Sequence, residues 1–216
     1  MNLKDKALLI LNGDTDIPDS EITDLSSTLI FPVDGGLHYA HRKSLVPEVL
    51  LGDFDSVRKK ILDKYPDTEK IIYRSEKDQS DTELTLEHIR KKYKEISHIK
   101  VIGAYSETRI DHFLTNIQVF ARFADVFTFE LVDRRFRSLI FSGEVELENV
   151  VNDIVSIVSL TEKTVFESSE GLEYSLDGLV LESRSSRGLS NKIKTSRMKI
   201  SIRDGVINLV FPAEYN

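Results

Sequence analysis

The stretch "PEVLLGDFDSV", residues 47–57, leads an apolar run into a glycine and two closely spaced carboxylates. Asp53 and Asp55 are two residues apart, and in an extended chain such residues share a face. Two like charges held that close disfavour each other's ionised form unless a cation lies between them. The stretch therefore predicts a buried strand whose end carries a carboxylate pair suited to a bound cation.

Short apolar runs and helical segments alternate around this stretch, up to about residue 135. Nearly wholly apolar strands separated by helices are typical of a parallel sheet covered on both faces. We therefore predict an α/β fold with a mainly parallel, Rossmann-like sheet and helices on both of its faces. The predicted strands are 6–12, 28–33, 48–53, 69–74, 98–104 and 126–132, and the clearest predicted helices are 81–93 and 109–124.

After residue 135 the helical period disappears, and short strand-like runs follow, with turn signals such as Asp177-Gly178 and Asp204-Gly205. This part predicts an all-β antiparallel sandwich or barrel. The predicted domains are residues 1–135 and residues 136–216, with a tight junction because no proline- or glycine-rich linker separates them. The predicted strand-like runs of the second domain are "RSLIFSGEVELEN", "DIVSIVSLT", "GLVLESRS" and "MKISIRDGVINLVF".

The composition is that of an ordinary soluble globular protein: of 216 residues, 40% are apolar and 30% charged. A formal net charge of −7 argues against a nucleic-acid partner, which favours a basic face. The chain has no cysteine, which excludes disulfides and thiolate chemistry. No apolar run approaches the roughly 18 residues of a membrane span, and the first residues lack the form of a signal peptide, so we expect a cytoplasmic location and no membrane contact.

Four clusters of acidic and glycine residues directly follow predicted strands of the first domain. In parallel α/β sheets, ligands gather at the carboxyl ends of the strands. We therefore expect these clusters to converge on one crevice. They are "VDGG" (33–36), "GDFDS" (52–56), "EKDQSDTE" (76–83) and "GAYSETRIDH" (103–112).

The chemistry that suits these clusters is magnesium-dependent phosphate transfer. Mg²⁺ takes oxygen ligands, usually one or two carboxylates with waters and substrate phosphates. Asp53, Asp55 and Asp81 would supply the carboxylates, and Lys77 and Arg109 would neutralise charge that builds on the phosphoryl groups. The chain contains no GxxxxGK[ST] motif, which excludes a P-loop kinase, and no GxGxxG motif, which removes the main support for a dinucleotide oxidoreductase.

Each cluster also has a purely structural interpretation. Residues 33–36 are typical of a turn. Ser80 and Glu83 match a helix capping box, which is compatible with a ligand role for Asp81 beside them. Asp55 or Ser56 could cap the helix predicted after "GDFDS", although this leaves Asp53 unexplained.

The motifs "DGG", "GDFDS", "KDQSDTEL", "TRIDH" with a following Asn, and "SRGLSN" resemble, in this order, the thiamine pyrophosphokinase (thiamine diphosphokinase) family, from Asp34 to about Asn191. The resemblance implies a nucleotide-binding α/β domain followed by a thiamine-binding β-sandwich. It also implies a Mg²⁺-dependent transfer of a pyrophosphoryl group from ATP to the hydroxyl of thiamine, which releases AMP. The implied assembly is a homodimer with the site at the subunit interface.

The resemblance also assigns roles to single residues. The expected catalytic and metal-binding residues are Asp53, Asp55 and Asp81, with Asp55 and Asp81 both open as the general base. The expected ATP-binding residues are Asp34, Gly35, Lys77, Ser80, Arg109, Asp111 and His112. Ser190 and Asn191 are the expected thiamine contacts, contributed in part from the partner chain.

The chain departs from the family pattern in two places. Ser106, Glu107 and Thr108 precede the arginine where the family usually has a glycine pair. The chain also has no tryptophan, whereas some family members stack an aromatic ring on the pyrimidine of thiamine; either Tyr174 or no residue would stack there. Two other classes of function stay open, a catalytically silent ligand-binding or regulatory protein and a metal-dependent phosphohydrolase. A related pyrimidine alcohol also stays open as the acceptor.

Overall fold

The computed structural model describes residues 5–23, 25–74, 76–148 and 154–212. The chain forms two compact units, Met1–Val119 with Leu131–Asp133 and Phe120–Glu130 with Arg134–Asn216. The segment Phe120–Glu130, which the predicted boundary places in the first domain, thus belongs with the second unit. Across the described ranges, no helix is both long enough and apolar enough to span a membrane.

Strands and helices alternate through the first unit, as the sequence predicts. The strands are β1 (Lys6–Ile10), β2 (Thr28–Pro32), β3 (Leu50–Gly52), β4 (Lys70–Ile72) and β5 (His98–Ile102), and β6 (Thr128–Val132) adds its last residues. The helices are α1 (Leu37–Arg42), α2 (Lys59–Leu62), α3 (Asp81–Lys92) and α4 (Ile110–Arg122), most of α4 lying in this unit. Single 3₁₀ turns occupy Asp19–Ile22 and Asp34–Gly36.

Strands β1 to β5 of the first unit pair in parallel. β1 pairs with β2 on one side and with β5 on the other, and β3 pairs with β4. A parallel bridge between Val33 and Leu51 continues β2 toward β3. The carboxyl ends of these strands therefore face the same edge, where the sequence places its acidic clusters. These pairings confirm parallel strands alternating with helices, and the finer Rossmann-like description stays a prediction.

The apolar strand sequences are explained by burial. All five residues of β2 are buried, and so are four of the five in β1. Leu8, Ile10, Ile30, Leu37 and Leu50 belong to one buried cluster of the first unit. Strands that bury side chains on both faces read as continuous apolar runs, because neither face is left for polar residues.

The second unit is all-β and antiparallel, as predicted. Its strands are β7 (Phe136–Phe141), β8 (Glu144–Glu148), β9 (Ile154–Ser159), β10 (Lys163–Glu170), β11 (Val180–Glu182), β12 (Asn191–Lys192), β13 (Arg197–Asp204) and β14 (Ile207–Pro212). They pair in the orders β12-β9-β14-β7 and β11-β10-β13-β8. One buried cluster takes side chains from both sets, including Phe141, Ile157, Phe166 and Ile200, which is the core of a sandwich.

Strand β10 lies outside the predicted runs. Thr164 and Phe166 are buried in its first half, whereas three of its last four residues are exposed. The alternation that signals a half-buried strand is therefore too short in "KTVFESSE" to be recognised from the sequence.

Candidate active site

The "DGG" motif forms the 3₁₀ turn that joins β2 to α1. Its backbone packs tightly against the end of β1, because a Cβ atom on Gly36 would lie 2.0 Å from the carbonyl oxygen of Ile10. A Cβ atom on Gly35 would likewise lie 2.3 Å from the side chain of Asn12. Asp34 has a φ of 45°, which is uncommon for a residue with a side chain. The glycines thus hold the turn close to β1, and Asp34 begins it in a sparsely populated conformation.

Three carboxylates meet at this turn. One oxygen from each of Asp34, Asp53 and Asp55 lies within 4.8 Å of the others. The pKa of Asp55 is raised, first by the charge of Asp53 and then by desolvation and the charge of Asp34. The Oδ1 atom of Asp34 is buried and has no hydrogen-bond partner among the described residues. Three carboxylates held close together and an unbonded carboxylate oxygen on Asp34 fit a hard divalent cation such as Mg²⁺.

Two hydrogen bonds, one within the loop and one to Asp34, hold the loop that carries Asp53 and Asp55. The N–H of Asp55 donates to Asp53 Oδ1 at 3.2 Å, and Phe54 has a φ of 59°. The hydroxyl of Ser56 donates to Asp34 Oδ2 at 2.6 Å. The residue that precedes α2 is Arg58, and among the residues that the structure describes no side chain caps this helix. The alternative in which Asp55 or Ser56 caps it is therefore wrong, since Ser56 bonds across to Asp34 instead.

The "KDQSDTE" cluster forms the start of α3. Ser80 is the N-cap, and its Oγ accepts a hydrogen bond from the N–H of Glu83 at 3.2 Å, which confirms the predicted cap. Lys77 Nζ lies 2.9 Å from Asp81 Oδ1, and the two side chains are only 17% and 22% exposed. This contact is an ion pair without the alignment of a hydrogen bond. In the structure Asp34 therefore clusters with Asp53 and Asp55, whereas Asp81 forms an ion pair with Lys77.

The arginine of "TRIDH" is held by the acid two residues later. Arg109 Nε donates to Asp111 Oδ1 at 3.0 Å, and Arg109 Nη2 donates to Asp111 Oδ2 at 2.8 Å. This bidentate bond lowers the pKa of Asp111 to about 2. Arg109 also contacts Nε2 of His112. All three side chains are more than half exposed, so the guanidinium is oriented without being removed from water.

A cleft of ≈ 690 Å³ connects these features within the first unit. All four predicted clusters contribute to its lining, which confirms their convergence on one crevice. The lining includes Val33, Asp34, Asp53, Lys77, Gln79, Ser80, Asp81, Thr82, Gly103, Ala104, Ser106, Thr108, Arg109 and His112.

Sequence reasoning missed a fifth contribution to the cleft, from the end of β1. Asn12 and Gly13 line it, and the N–H of Gly13 donates to the carbonyl of Gly103 at 2.9 Å. A Cβ atom on Gly13 would lie 2.2 Å from the carbonyl oxygen of Tyr105, so this packing requires glycine. The signal was an Asn-Gly pair at the end of the first predicted strand, in the same place as the other clusters.

The predicted thiamine residues lie in the second unit. Asn191 is buried, and its amide accepts from the N–H of Tyr174 at 3.0 Å and donates to the carbonyl of Tyr174 at 2.7 Å. Tyr174 is 64% exposed. Ser190 is exposed, with a φ of 56°. The Asn191 side chain thus holds the backbone of Tyr174, and the contact of Ser190 and Asn191 with thiamine stays a prediction.

Two family models match the chain. The model described as "Thiamin pyrophosphokinase, catalytic domain" matches residues 22–130, and the one described as "Thiamin pyrophosphokinase, vitamin B1 binding domain" matches residues 144–207. The thiamine pyrophosphokinase of Bacillus subtilis is 28% identical over 205 residues, covering 89% of this chain and 94% of that protein. Thiamin pyrophosphokinase 1 of Caenorhabditis elegans is 27% identical over 177 residues, covering 77% of this chain and 71% of that protein.

Solved structures share the fold. The crystal structure of thiamin pyrophosphokinase from Geobacillus thermodenitrificans superposes with a TM-score of 0.81 at 21% identity, covering 98% of this chain and 99% of that one. The Bacillus subtilis crystal structure has a TM-score of 0.79 at 24% identity, covering 97% of this chain and 99% of that one.

Proposed function

Because this chain belongs to the thiamin pyrophosphokinase family, we propose that its cleft transfers a pyrophosphoryl group from ATP to the hydroxyl of thiamine, giving thiamine pyrophosphate and AMP. That transfer is the known reaction of the family. The observation that carries the proposal is a cluster of three carboxylates, two of which line the same cleft of the matched catalytic region as a lysine and an arginine.

Asp34, Asp53 and Asp55 are the residues that would hold Mg²⁺. Their oxygens are close enough to share one ion, and the buried, unbonded Oδ1 of Asp34 fits a metal ligand. When bound, the ion supplies charge neutralisation and orients the phosphate oxygens of ATP. The role of Asp81 as a further ligand, expected from the resemblance, remains part of the proposal; in the structure its Oδ1 atom is paired with Lys77.

The cationic side chains of the cleft would neutralise negative charge on the phosphate groups of ATP. Attack on the β-phosphorus needs alignment and charge neutralisation more than covalent chemistry from the protein. Lys77, which pairs with Asp81, and Arg109, which is bonded to Asp111, would stabilise charge on the transferred group and on the leaving AMP. The proton of the thiamine hydroxyl would pass to a carboxylate of the cleft, for which Asp55 and Asp81 are the two candidates.

We extend the proposal to the assembly. Residues 1–135 would form a nucleotide-binding domain of Rossmann-like character, and residues 136–216 a thiamine-binding domain. Ser190 and Asn191 would contribute to a site completed by the partner chain of a homodimer, with Tyr174 as the exposed aromatic ring beside them. The expected location is the cytoplasm, as the sequence predicts.

The proposal is tested by a chromatographic assay of the purified protein with ATP, Mg²⁺ and thiamine. We expect AMP and thiamine pyrophosphate in equal amounts, and neither when EDTA replaces Mg²⁺. Phosphate or pyrophosphate released without an acceptor would instead identify a phosphohydrolase. Unchanged ATP with thiamine and with related pyrimidine alcohols would identify a binding protein.

A further inference from the structure

His38 lies on α1, one turn beyond the "DGG" motif, and it contacts two segments of the candidate site. Its Nδ1 atom is 3.0 Å from the carbonyl oxygen of Gly35. Its Nε2 atom accepts a hydrogen bond from the backbone N–H of Arg58 at 3.3 Å. The imidazole, which is partly buried, thus connects the turn that begins at Asp34 with the end of the loop that carries Asp53.

The two partners fix the form of the imidazole. A carbonyl oxygen can only accept, so Nδ1 must carry a hydrogen, and a backbone N–H can only donate, so Nε2 must present its lone pair. Only the neutral Nδ1–H tautomer makes both bonds at once. His38 therefore joins the two segments in one protonation state and one ring orientation.

Repulsion among carboxylates acts on the loop that carries Asp53 and Asp55, and the bonds of His38 oppose it. It brings Asp53 and Asp55 within 4.8 Å of Asp34, and the three carboxylates repel each other before a cation is bound. Two hydrogen bonds that oppose this separation are that of Ser56 with Asp34 and that of the Arg58 N–H with His38. The second bond acts at the end of the loop, just before α2 begins.

We propose that His38 is a positioning residue, which fastens the loop carrying Asp53 and Asp55 to the turn carrying Asp34 and so sets the spacing of the three carboxylates for a divalent cation. The inference rests on the proposed function, because it takes that cluster to be the metal site. Groups that orient metal ligands without touching the metal typically contribute 10–100-fold in metal affinity or activity.

Four variants separate the two hydrogen bonds. His38→Leu removes both. His38→Gln places an amide oxygen near the position of Nε2 and keeps the acceptor for Arg58, whereas His38→Asn places an amide nitrogen near Nδ1 and keeps only the donor to Gly35. His41→Gln is the matched control, because His41 lies on the same helix and contacts Tyr65 and Lys64 instead of the loop.

The first measurement is the affinity of the full chain for Mn²⁺ in the absence of nucleotide, monitored by electron paramagnetic resonance. We expect His38→Leu and His38→Asn to weaken Mn²⁺ binding about 10-fold or more, and His38→Gln and His41→Gln to stay within about threefold of the wild type. The Mg²⁺ concentration for half-maximal turnover should shift in the same order. Long-range ¹H–¹⁵N spectra of the wild type should show His38 as the Nδ1–H tautomer.

The outcomes distinguish this inference from the proposed function. Unchanged Mn²⁺ affinity in both His38→Leu and His38→Asn would overturn the positioning role while leaving the metal site in place. If His38→Leu does not fold, equal affinities in the Asn and Gln variants would overturn it as well. Wild-type protein that binds no Mn²⁺ and needs no Mg²⁺ would overturn the metal site, and the positioning role with it.

Discussion

Arg109 shows how a single exposed residue can be oriented without burial. Its guanidinium makes a bidentate bond to Asp111, two residues further along at the start of α4, so its direction is set locally. Such fork-shaped pairing is stronger and more directional than a lysine contact. Under the proposed function, a guanidinium whose orientation is already fixed would lose less conformational freedom when a phosphate group binds.

The first prediction concerns the titration of this pair. The pKa of Asp111 is about 2 in the folded chain against an ordinary value of 3.8, so the pair stabilises the fold above pH 3.8 and loses its contribution as the pH falls through about 2. Carboxyl ¹³C shifts should show Asp111 titrating near 2, and Arg109→Ala should move the midpoint up toward 3.8. Lys60→Ala, which removes an exposed cation elsewhere, should leave it unchanged. A midpoint that stays near 2 in Arg109→Ala would refute the assignment.

The second prediction concerns Asp53. Asp53→Asn keeps the shape of the side chain but removes one of the three charges that face each other, so we expect the fold to persist and transfer to fall at least 100-fold. Thermal unfolding and the AMP assay measure the two effects. Asp67→Asn, at an exposed position outside the cleft lining, serves as the control and should retain full activity. Wild-type turnover in Asp53→Asn would exclude this residue from the chemistry.

At the level of elements, the site depends on how closely the ends of β1 and β2 approach each other. The turn Asp34–Gly36 rests on the last residue of β1, and the loop after β1 rests in turn on the loop after β5. These contacts are between backbones, so they leave no room for a side chain at the glycines. This packing places the backbone of Asp34, and the hydrogen bond from Ser56 holds its carboxylate.

The third prediction tests this close approach. Gly36→Ala would bring a Cβ atom to 2.0 Å from the carbonyl oxygen of Ile10, although the φ of −57° suits any residue. We expect a loss of about 1–3 kcal/mol in the free energy of unfolding, measured by urea denaturation, with weaker Mn²⁺ binding.

The control for Gly36→Ala is a substitution at Gly143, where φ is positive and the surrounding space is open. Gly143 has a φ of 75°, and apart from its two chain neighbours no heavy atom of the described residues would lie within 4 Å of a Cβ atom added there. Asn tolerates this left-handed conformation, so Gly143→Asn should change stability by no more than about 0.5 kcal/mol. Equal losses in the two variants would contradict the steric explanation.

At the scale of the whole molecule, the cleft and its charges belong to the first unit, whereas the second unit supplies the residues expected to meet thiamine. A ligand that binds only the folded chain stabilises it by mass action. Nucleotide and metal should therefore stabilise the protein before any thiamine is present.

The fourth prediction measures that coupling. At 100 times its dissociation constant, Mg²⁺-ATP should add about 2.7 kcal/mol to the free energy of unfolding and raise the thermal midpoint of the wild type. ATP with EDTA should add much less, and Asp53→Asn should lose most of the effect of Mg²⁺. An equal rise in the wild type and in Asp53→Asn would show that the nucleotide binds without this carboxylate.

The amino-acid sequence by itself determined the strands of the first unit, the antiparallel character of the second, the convergence of four strand-end clusters and the cap at Ser80. These features follow from periodicity, turn chemistry and the rule that parallel strands end at one edge, all of which are local or topological. Only the tertiary structure decided that Asp34 joins Asp53 and Asp55, that Asp81 pairs with Lys77, and that His38 reaches Arg58. The contacts of Asp34 and His38 join residues about 20 positions apart, and they depend on distances of a few ångströms that packing at the glycine turn fixes and no local pattern encodes.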